Sequence, residues 1–428
     1  MCKIISPDTT EYVRLTLLDI MNGETMKTIL PIVIICSFLT LIMCSDTSDE
    51  PVKEVTIGAL IPISGAFGQQ GVSIRTALEL AIEDANSDFV SRNINITLNL
   101  QVEDTGTEPA MAVSQLESML EAGVRIIIGP VTSAELLACK ESINSSEAVI
   151  ISPSSTSIEL SISGDNIYRM VPDDRKMAEA ISAAAWYNGL RHLLLLHHDG
   201  LWANGLAAMV QDRFEALGGQ VLETASYTGY RNSLYEEAFD TLRTALTAML
   251  ENYDASSIGV QISTYDEAID ILSLANGDSL LSLVDWFGSD GIATNSFLLT
   301  DSGAVDFART SHFAAPIFGL ETNEKLTALT QRLNSLLENP SGNYGYLAYD
   351  GLRIAADVYA TAETDISVDG LKALLMTTME GYEGVSGTAT FNENGDRANG
   401  VYHFWSVNSD YPSWELIYTS TDGSIEGG

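Results

Sequence analysis

From Val55 onward the chain alternates two hydrophobic rhythms. Short β-branched runs recur as VTIGALI (55–61), ITLNLQV (96–102), VRIIIG (124–129), AVIIS (148–152) and LLLLH (193–197). They are apolar on both faces, the pattern of strands buried in a parallel sheet. Between them apolar residues fall at helical spacing. Ile74, Leu78, Ala81, Ile82 and Ala85 form one stripe, and Ala112, Leu116, Met119 and Leu120 form another. The same spacing predicts helices near 174–188, 202–217, 234–251, 265–276, 323–338, 346–361 and 369–380. Such alternation predicts an α/β chain with parallel sheets and right-handed crossovers. Toward the C-terminus the rhythm changes: TATFNENGD (388–396), GVYHFWSV (400–407) and WELIY (414–418) predict hairpin-like strands around an Asn-Gly turn. No repeat of solenoid length recurs. Roughly 370 residues exceed what one α/β sheet needs, so two lobes are expected.

The N-terminus follows a different pattern. Residues 1–25 are unpatterned. Met26-Lys27 then precede 15 nearly continuous apolar residues, Ile29 to Met43. A spanning helix wants about 20, so this segment reads as a secretory signal with translation starting at Met26. Cys44 stands where a lipoprotein signal places its acylated cysteine, and residues 45–52 read as an acidic tether. Met43 replaces the small residue usual before that cysteine, which leaves ordinary cleavage or an uncleaved anchor as alternatives. Export is expected, with membrane association only through the N-terminus if Cys44 is acylated.

Composition narrows the function. Against 58 acidic residues there are 21 Lys and Arg, a net charge of −37 over 428 residues. With 46% apolar residues the chain is too hydrophobic for an acidic disordered protein. It has nothing to neutralise a run of phosphates, so nucleic acid is excluded as a partner. An acidic surface of this density suits a salty medium. The melting temperature is therefore expected to rise with added salt over the sub-molar range, as self-repulsion is screened. Thermal melts at increasing sodium chloride check this, and a flat or falling trend contradicts it.

Catalytic signatures are weak. Cys2, Cys36, Cys44 and Cys139 are too scattered for a disulfide framework or zinc site. His192, His197, His198, His312 and His403 show no ligand spacing, so neither metal nor cofactor is expected. GxGxxG, P-loop and GxSxG motifs are absent. Asp104-Thr105-Gly106 and Asp301-Ser302-Gly303 imitate the paired motifs of bilobal aspartic proteases. Those enzymes are almost wholly β, and Asp-Xaa-Gly also suits ordinary turns. No enzymatic activity is expected.

A resemblance supplies the rest. IGALIPISGAFGQQG (57–71), VEDTGTEPAMAV (102–113), IIIGPVTSAELL (126–137), VIISPSSTS (149–157), HHDGLWANGL (197–206), WFGSDGIATN (286–295), YLAYDGLRIA (346–355) and GVSGTATFNENGDR (384–397) stand in register with one family. Together they resemble the leucine/isoleucine/valine-binding type of periplasmic binding protein, the solute-capturing subunit of an ABC importer. The resemblance implies two doubly wound parallel-sheet lobes joined by three hinge crossings, with a ligand cleft between them. Lobe one would span 53–172 plus 313–384, and lobe two 173–312 plus 385–420, leaving 421–428 as a tail.

It also implies a site. Ser133 would donate to a ligand carboxylate from the start of a helix, a natural anion position, or serve as a plain N-cap. Ser154, Ser155 and Thr156 would orient both ends of the ligand from the loop after strand 148–152. Trp202 and Tyr265 would supply aromatic walls, and Asp290 would meet the ligand ammonium. Gln70 stands at a cleft position that is often aromatic in relatives. The implied ligand is a small amphipathic molecule, an α-amino acid of branched-chain or other type, and the implied partners are the importer's permease subunits. An amide, urea or small carboxylate ligand, or a sensory receptor role, are the alternatives.

Overall fold

A computed structural model describes residues 51–229, 232–338, 342–363 and 365–427. The signal-like segment, Cys44 and most of the tether lie outside the described residues. The first lobe begins with β1 (Lys53–Ile61), α1 (Gly68–Ser91), β2 (Ile96–Asp104), α2 (Pro109–Glu121), β3 (Ile126–Ile128), α3 (Ser133–Asn144), β4 (Val149–Ser152) and β5 (Ile167–Arg169). These strands form one parallel sheet in the order β2-β1-β3-β4-β5. Alternate residues serve opposite faces. Ile126, Ile128, Val149 and Ile151 pack with Ile74, Leu78 and Ala81 of α1. Ile127 and Ile150 pack with Leu116 and Met119 of α2 and Leu136 and Cys139 of α3. Two apolar faces are why these strands read as continuous hydrophobic runs.

The second lobe runs through α4 (Asp174–Tyr187), β6 (His192–His198), α5 (Leu201–Ala216), β7 (Gln220–Tyr227), α6 (Asn232–Leu250), β8 (Ile258–Ser263), α7 (Ala268–Ala275), β9 (Asp285–Phe287), α8 (Ser302–Thr310) and β10 (Ala314–Phe318). Leu193 and Leu195 face α4 and α5, while Leu194 and Leu196 face α6 and α7. The chain then returns to the first lobe. Here α9 (Glu324–Leu336), α10 (Tyr344–Thr361) and α11 (Val368–Met379) pack mainly against α1 and the first sheet, followed by a small hairpin of β11 (Tyr382–Gly384) and β12 (Gly387–Ala389). Finally β13 (Val401–Val407), β14 (Trp414–Thr421) and β15 (Ser424–Gly427) extend the second sheet, whose order is β15-β14-β13-β10-β9-β8-β6-β7.

The two-lobed α/β architecture agrees with the sequence reading, with five differences. The second sheet is mixed, because β13, β14 and β15 join it antiparallel. The boundary expected at 312/313 falls after Phe318, because AAPIF is a buried strand bonded to β9 on one side and β13 on the other. The return crossing likewise comes after β12 rather than at 384/385, since Val385 packs against Ala77, Leu80 and Leu329 of the first lobe. Nor is 421–428 a tail: Thr421 pairs with Ser424 and Tyr418 with Gly427. The Asn394-Gly395 turn closes an isolated bridge, Phe391 to Arg397, instead of a long hairpin.

Three strands of chain cross between the lobes, and buried charge stitches them together. The Arg169 amide donates to the Gly395 carbonyl at 2.9 Å, and the Arg397 amide donates to the Arg169 carbonyl at 3.0 Å. The Arg169 guanidinium meets Asp396 at 2.5 Å, with the two side chains 0% and 1% exposed. Arg397 donates to Ser386 Oγ at 2.9 Å and lies 4.7 Å over the Phe318 ring. First and third crossings are thus laced like neighbouring strands, and the second is held by the ring at its start.

Candidate functional site

The carboxyl ends of the parallel strands face the gap between the lobes, where α/β sheets place their ligand loops. A narrow cavity of about 20 Å³ lies there, lined by Phe67, Val131, Thr132, Ser133, Ser154, Thr156 and Tyr344 from the first lobe and Trp202, Tyr265, Asp290 and Gly291 from the second. Six of the eight residues expected in the cleft line it: Ser133, Ser154, Thr156, Trp202, Tyr265 and Asp290. Ser155 and Gln70 do not.

On the first-lobe side, the helix cap is Thr132 rather than Ser133. The Thr132 hydroxyl accepts from the Glu135 amide while the Glu135 carboxylate accepts from the Thr132 amide, a closed capping box. Ser133 is therefore the first helical residue. Its Oγ accepts from the Ser157 amide at 3.2 Å, which leaves its proton available to a ligand. Ser154 and Ser155 both donate their hydroxyls to the Val131 carbonyl, at 2.7 and 3.2 Å. They tie the two loops together, and Ser155 does so from behind the cavity. Under the same loop, Arg169 donates to the carbonyls of Ser155 and Ser157 at 3.2 and 2.7 Å.

The second-lobe side is aromatic and acidic. Tyr265 stacks on Trp202 with 4.8 Å between ring centroids. Trp202 also belongs to the core between α4, α5 and the second sheet, so one side chain serves both core and wall. Asp290 sits on the loop after β9, which is pressed against the loop after β8: a Cβ on Gly291 would stand 2.1 Å from the Thr264 carbonyl. Across the cleft, the Tyr344 hydroxyl donates to Asp290 Oδ2, whereas Oδ1 is buried without a hydrogen bond. Burial pushes the Asp290 carboxyl up to about 6, against the Tyr344 hydrogen bond that lowers it. Gln70 spans the same gap, donating to the Gly291 carbonyl at 3.1 Å. It is a contact between lobes and not a wall of the cavity.

Sequence reasoning missed three residues. Asp174 is buried at the start of α4. Burial, reinforced by the charge of Asp290, raises its pKa to about 8, although Thr156 and Trp202 stand close enough to favour the ionised form. In sequence it was hidden beside Asp173, an ordinary N-cap that accepts from the Arg175 amide. Tyr344 was hidden among the periodic aromatics of its helix. Phe67, an apolar residue within a glycine-rich loop, did offer a signal.

Raised carboxyls make stability depend on pH with a definite sign. Asp174 and Asp290, with Asp266 raised to about 7 and Asp165 to about 6 mainly by burial, bind protons more tightly folded than unfolded. Their contribution is full below the unfolded value near 4 and is lost as pH rises through 6 to 8. The melting temperature without ligand is expected to fall from pH 5 to pH 8, and Asp174→Asn to flatten that slope. Calorimetric scans of both proteins across this range check it.

The protease-like motifs lie in separate lobes with separate duties. Asp104 accepts from Ser64 and from the Ile63 and Gly106 amides, hydrogen bonds that outweigh burial and hold its pKa low. Asp301 caps α8, accepting from the Ala304 amide at 2.8 Å.

Two α/β lobes with strand ends converging on one cleft define a ligand-binding protein of the periplasmic binding type, and comparisons agree. Residues 73–410 match the family model described as the receptor family ligand binding region, and the chain belongs to that family. An uncharacterized protein of Methanocaldococcus jannaschii is 25% identical over 390 residues, 87% of this chain and 91% of its own. Leu/Ile/Val-binding protein BraC3 of Rhizobium johnstonii is 24% identical over 165 residues, 38% of this chain and 43% of its own. Among solved structures, the leucine-binding protein LivK of Thermotoga maritima has a TM-score of 0.71 at 18% identity, covering 86% of this chain and 99% of its own. The branched-chain amino acid transporter substrate binding protein LivJ of Streptococcus pneumoniae, solved with isoleucine, has a TM-score of 0.68 at 18% identity, covering 88% and 98%. At that identity the likeness is one of fold. Family and fold are those of ligand-binding proteins rather than enzymes. No helix among the described residues is long and apolar enough to cross a membrane.

Proposed function

We propose that this chain is an exported solute-binding protein that captures a small α-amino acid and delivers it to the permease of an ABC importer. The observation that carries this reading is the polarity of the cavity. One side holds Ser133 at the N-terminus of α3 with Thr156 nearby, donors and a positive dipole end suited to a carboxylate. The other holds Asp290, whose Oδ1 is buried without a hydrogen bond, and Asp174 stands close by against Thr156 and Trp202. A desolvated ammonium group meets that need, and a zwitterion satisfies both sides at once. Neutral amides and simple carboxylates leave the acids unmatched.

Lobe closure sequesters the ligand and presents the closed surface to the permease. The lobes are held together across the cleft by Tyr344 to Asp290 and Gln70 to Gly291. A thermal-shift screen over the common amino acids, with amides, urea and small carboxylates as controls, tests the assignment, because a ligand of the native state raises the midpoint. Shifts with amino acids alone support it, and shifts with the controls alone overturn it. Ser133→Ala is expected to weaken amino-acid binding by about 1–2 kcal/mol, since the helix amides still face the carboxylate. Titration calorimetry measures that loss.

A further inference from the structure

We infer that the cleft selects α-amino acids with short uncharged side chains, of the size of alanine or serine, over branched-chain ones. The inference rests on the amino-acid reading above and adds the substrate class. The polar residues fix where the two ends of the ligand would lie, so its side chain would face the remaining wall. That wall is made of rings that already touch. Tyr265 stacks on Trp202 at 4.8 Å and 23°, the edge of Phe67 meets Tyr265 at 5.5 Å, and Phe67 and Tyr344 stand 6.4 Å apart. Phe67 and Tyr344 come from the first lobe and the other two from the second, so the contact of Phe67 with Tyr265 forms as the lobes meet.

Beside the rings, Gln70 closes the gap by donating to the Gly291 carbonyl. Gly291 cannot retreat, because its loop is wedged against the Thr264 carbonyl. An isobutyl or sec-butyl group would have to part Phe67 from Tyr265 and strain the Gln70 bond. The cavity itself is only about 20 Å³, room for about one water molecule, so any ligand must widen it, and a methyl or hydroxymethyl group disturbs those contacts least. Charge adds a second filter. Among the described residues no Lys, Arg or His lines the cavity, which contains Asp290 and lies near Asp174. A side-chain carboxylate would therefore enter a negative site without a partner.

Titration calorimetry of the full chain with L-alanine, L-serine, L-leucine, L-isoleucine and L-aspartate tests this. Alanine or serine is expected to bind at least tenfold tighter than leucine and isoleucine, with no measurable binding of aspartate. Phe67→Ala is expected to gain at least tenfold in leucine affinity. Gln70→Ala, which leaves the ring cluster whole, is expected to gain less in the same direction. Leucine or isoleucine binding to the wild type as tightly as alanine overturns the inference while leaving the amino-acid reading intact. Binding of no amino acid overturns both.

Discussion

Asp290→Asn is expected to weaken amino-acid binding by about 2–4 kcal/mol, a loss of roughly 30- to 700-fold. The substitution keeps the size of the side chain and its contact with Tyr344. It removes the charge, and it turns an amide N–H₂ toward the place where a buried oxygen now lacks a partner. An ammonium group that left water for this cavity would then meet a donor. Asp174→Asn is expected to weaken binding in the same direction, because its carboxyl lies against Thr156 and Trp202 of the cavity wall and interacts with Asp290. Both variants should also melt higher than wild type without ligand, since each removes a buried carboxylate that folding holds out of water. Titration calorimetry and melting of the two variants measure these opposed effects. If Asp290→Asn binds amino acids like wild type, Asp290 is only a loop residue bonded to Tyr344, and the amino-acid assignment falls with it.

Asp396→Asn is expected to destabilise the protein by about 3–5 kcal/mol, as does breaking other buried ion pairs from one side. Arg169 is fully buried and Asp396 is its carboxylate partner, so the variant leaves a guanidinium charge uncompensated at the junction of the first and third crossings. Replacing both residues, Arg169→Met with Asp396→Leu, is expected to recover much of the stability, because a buried pair can be exchanged for apolar packing. Ligand affinity should not recover with it. The Ser155 and Ser157 carbonyls that flank Thr156 lose the donor that holds them. Urea unfolding and calorimetry on the three proteins separate the two effects. Affinity that returns along with stability would show that Arg169 serves the hinge alone.

Periodicity determined the α/β class, because a buried parallel strand must be apolar on both faces and a packed helix on one. VRIIIG and AVIIS could be read as strands on that ground, as could the stripe through Ile74, Leu78 and Ala81 as a helix. The short strands β5, β9 and β10 carried too little pattern to separate from loops, so nothing in the periodicity corrected the boundary at 312/313 that the resemblance implied. The motifs in register identified the family and most of the cavity wall.

Pairing across long sequence distance belonged to the tertiary structure alone. Tyr344 meets Asp290 over 54 residues, Gln70 meets Gly291 over 221 and Arg169 meets Asp396 over 227. Hydrophobic period records which face of an element is buried, but a polar side chain's partner depends on how whole lobes dock. Asp173 and Asp174 show the limit. Neighbours in sequence and identical in chemistry, one caps a helix and the other is sealed beside the cleft against Thr156 and Trp202. The direction in which the first turn of α4 presents each side chain decided which was which.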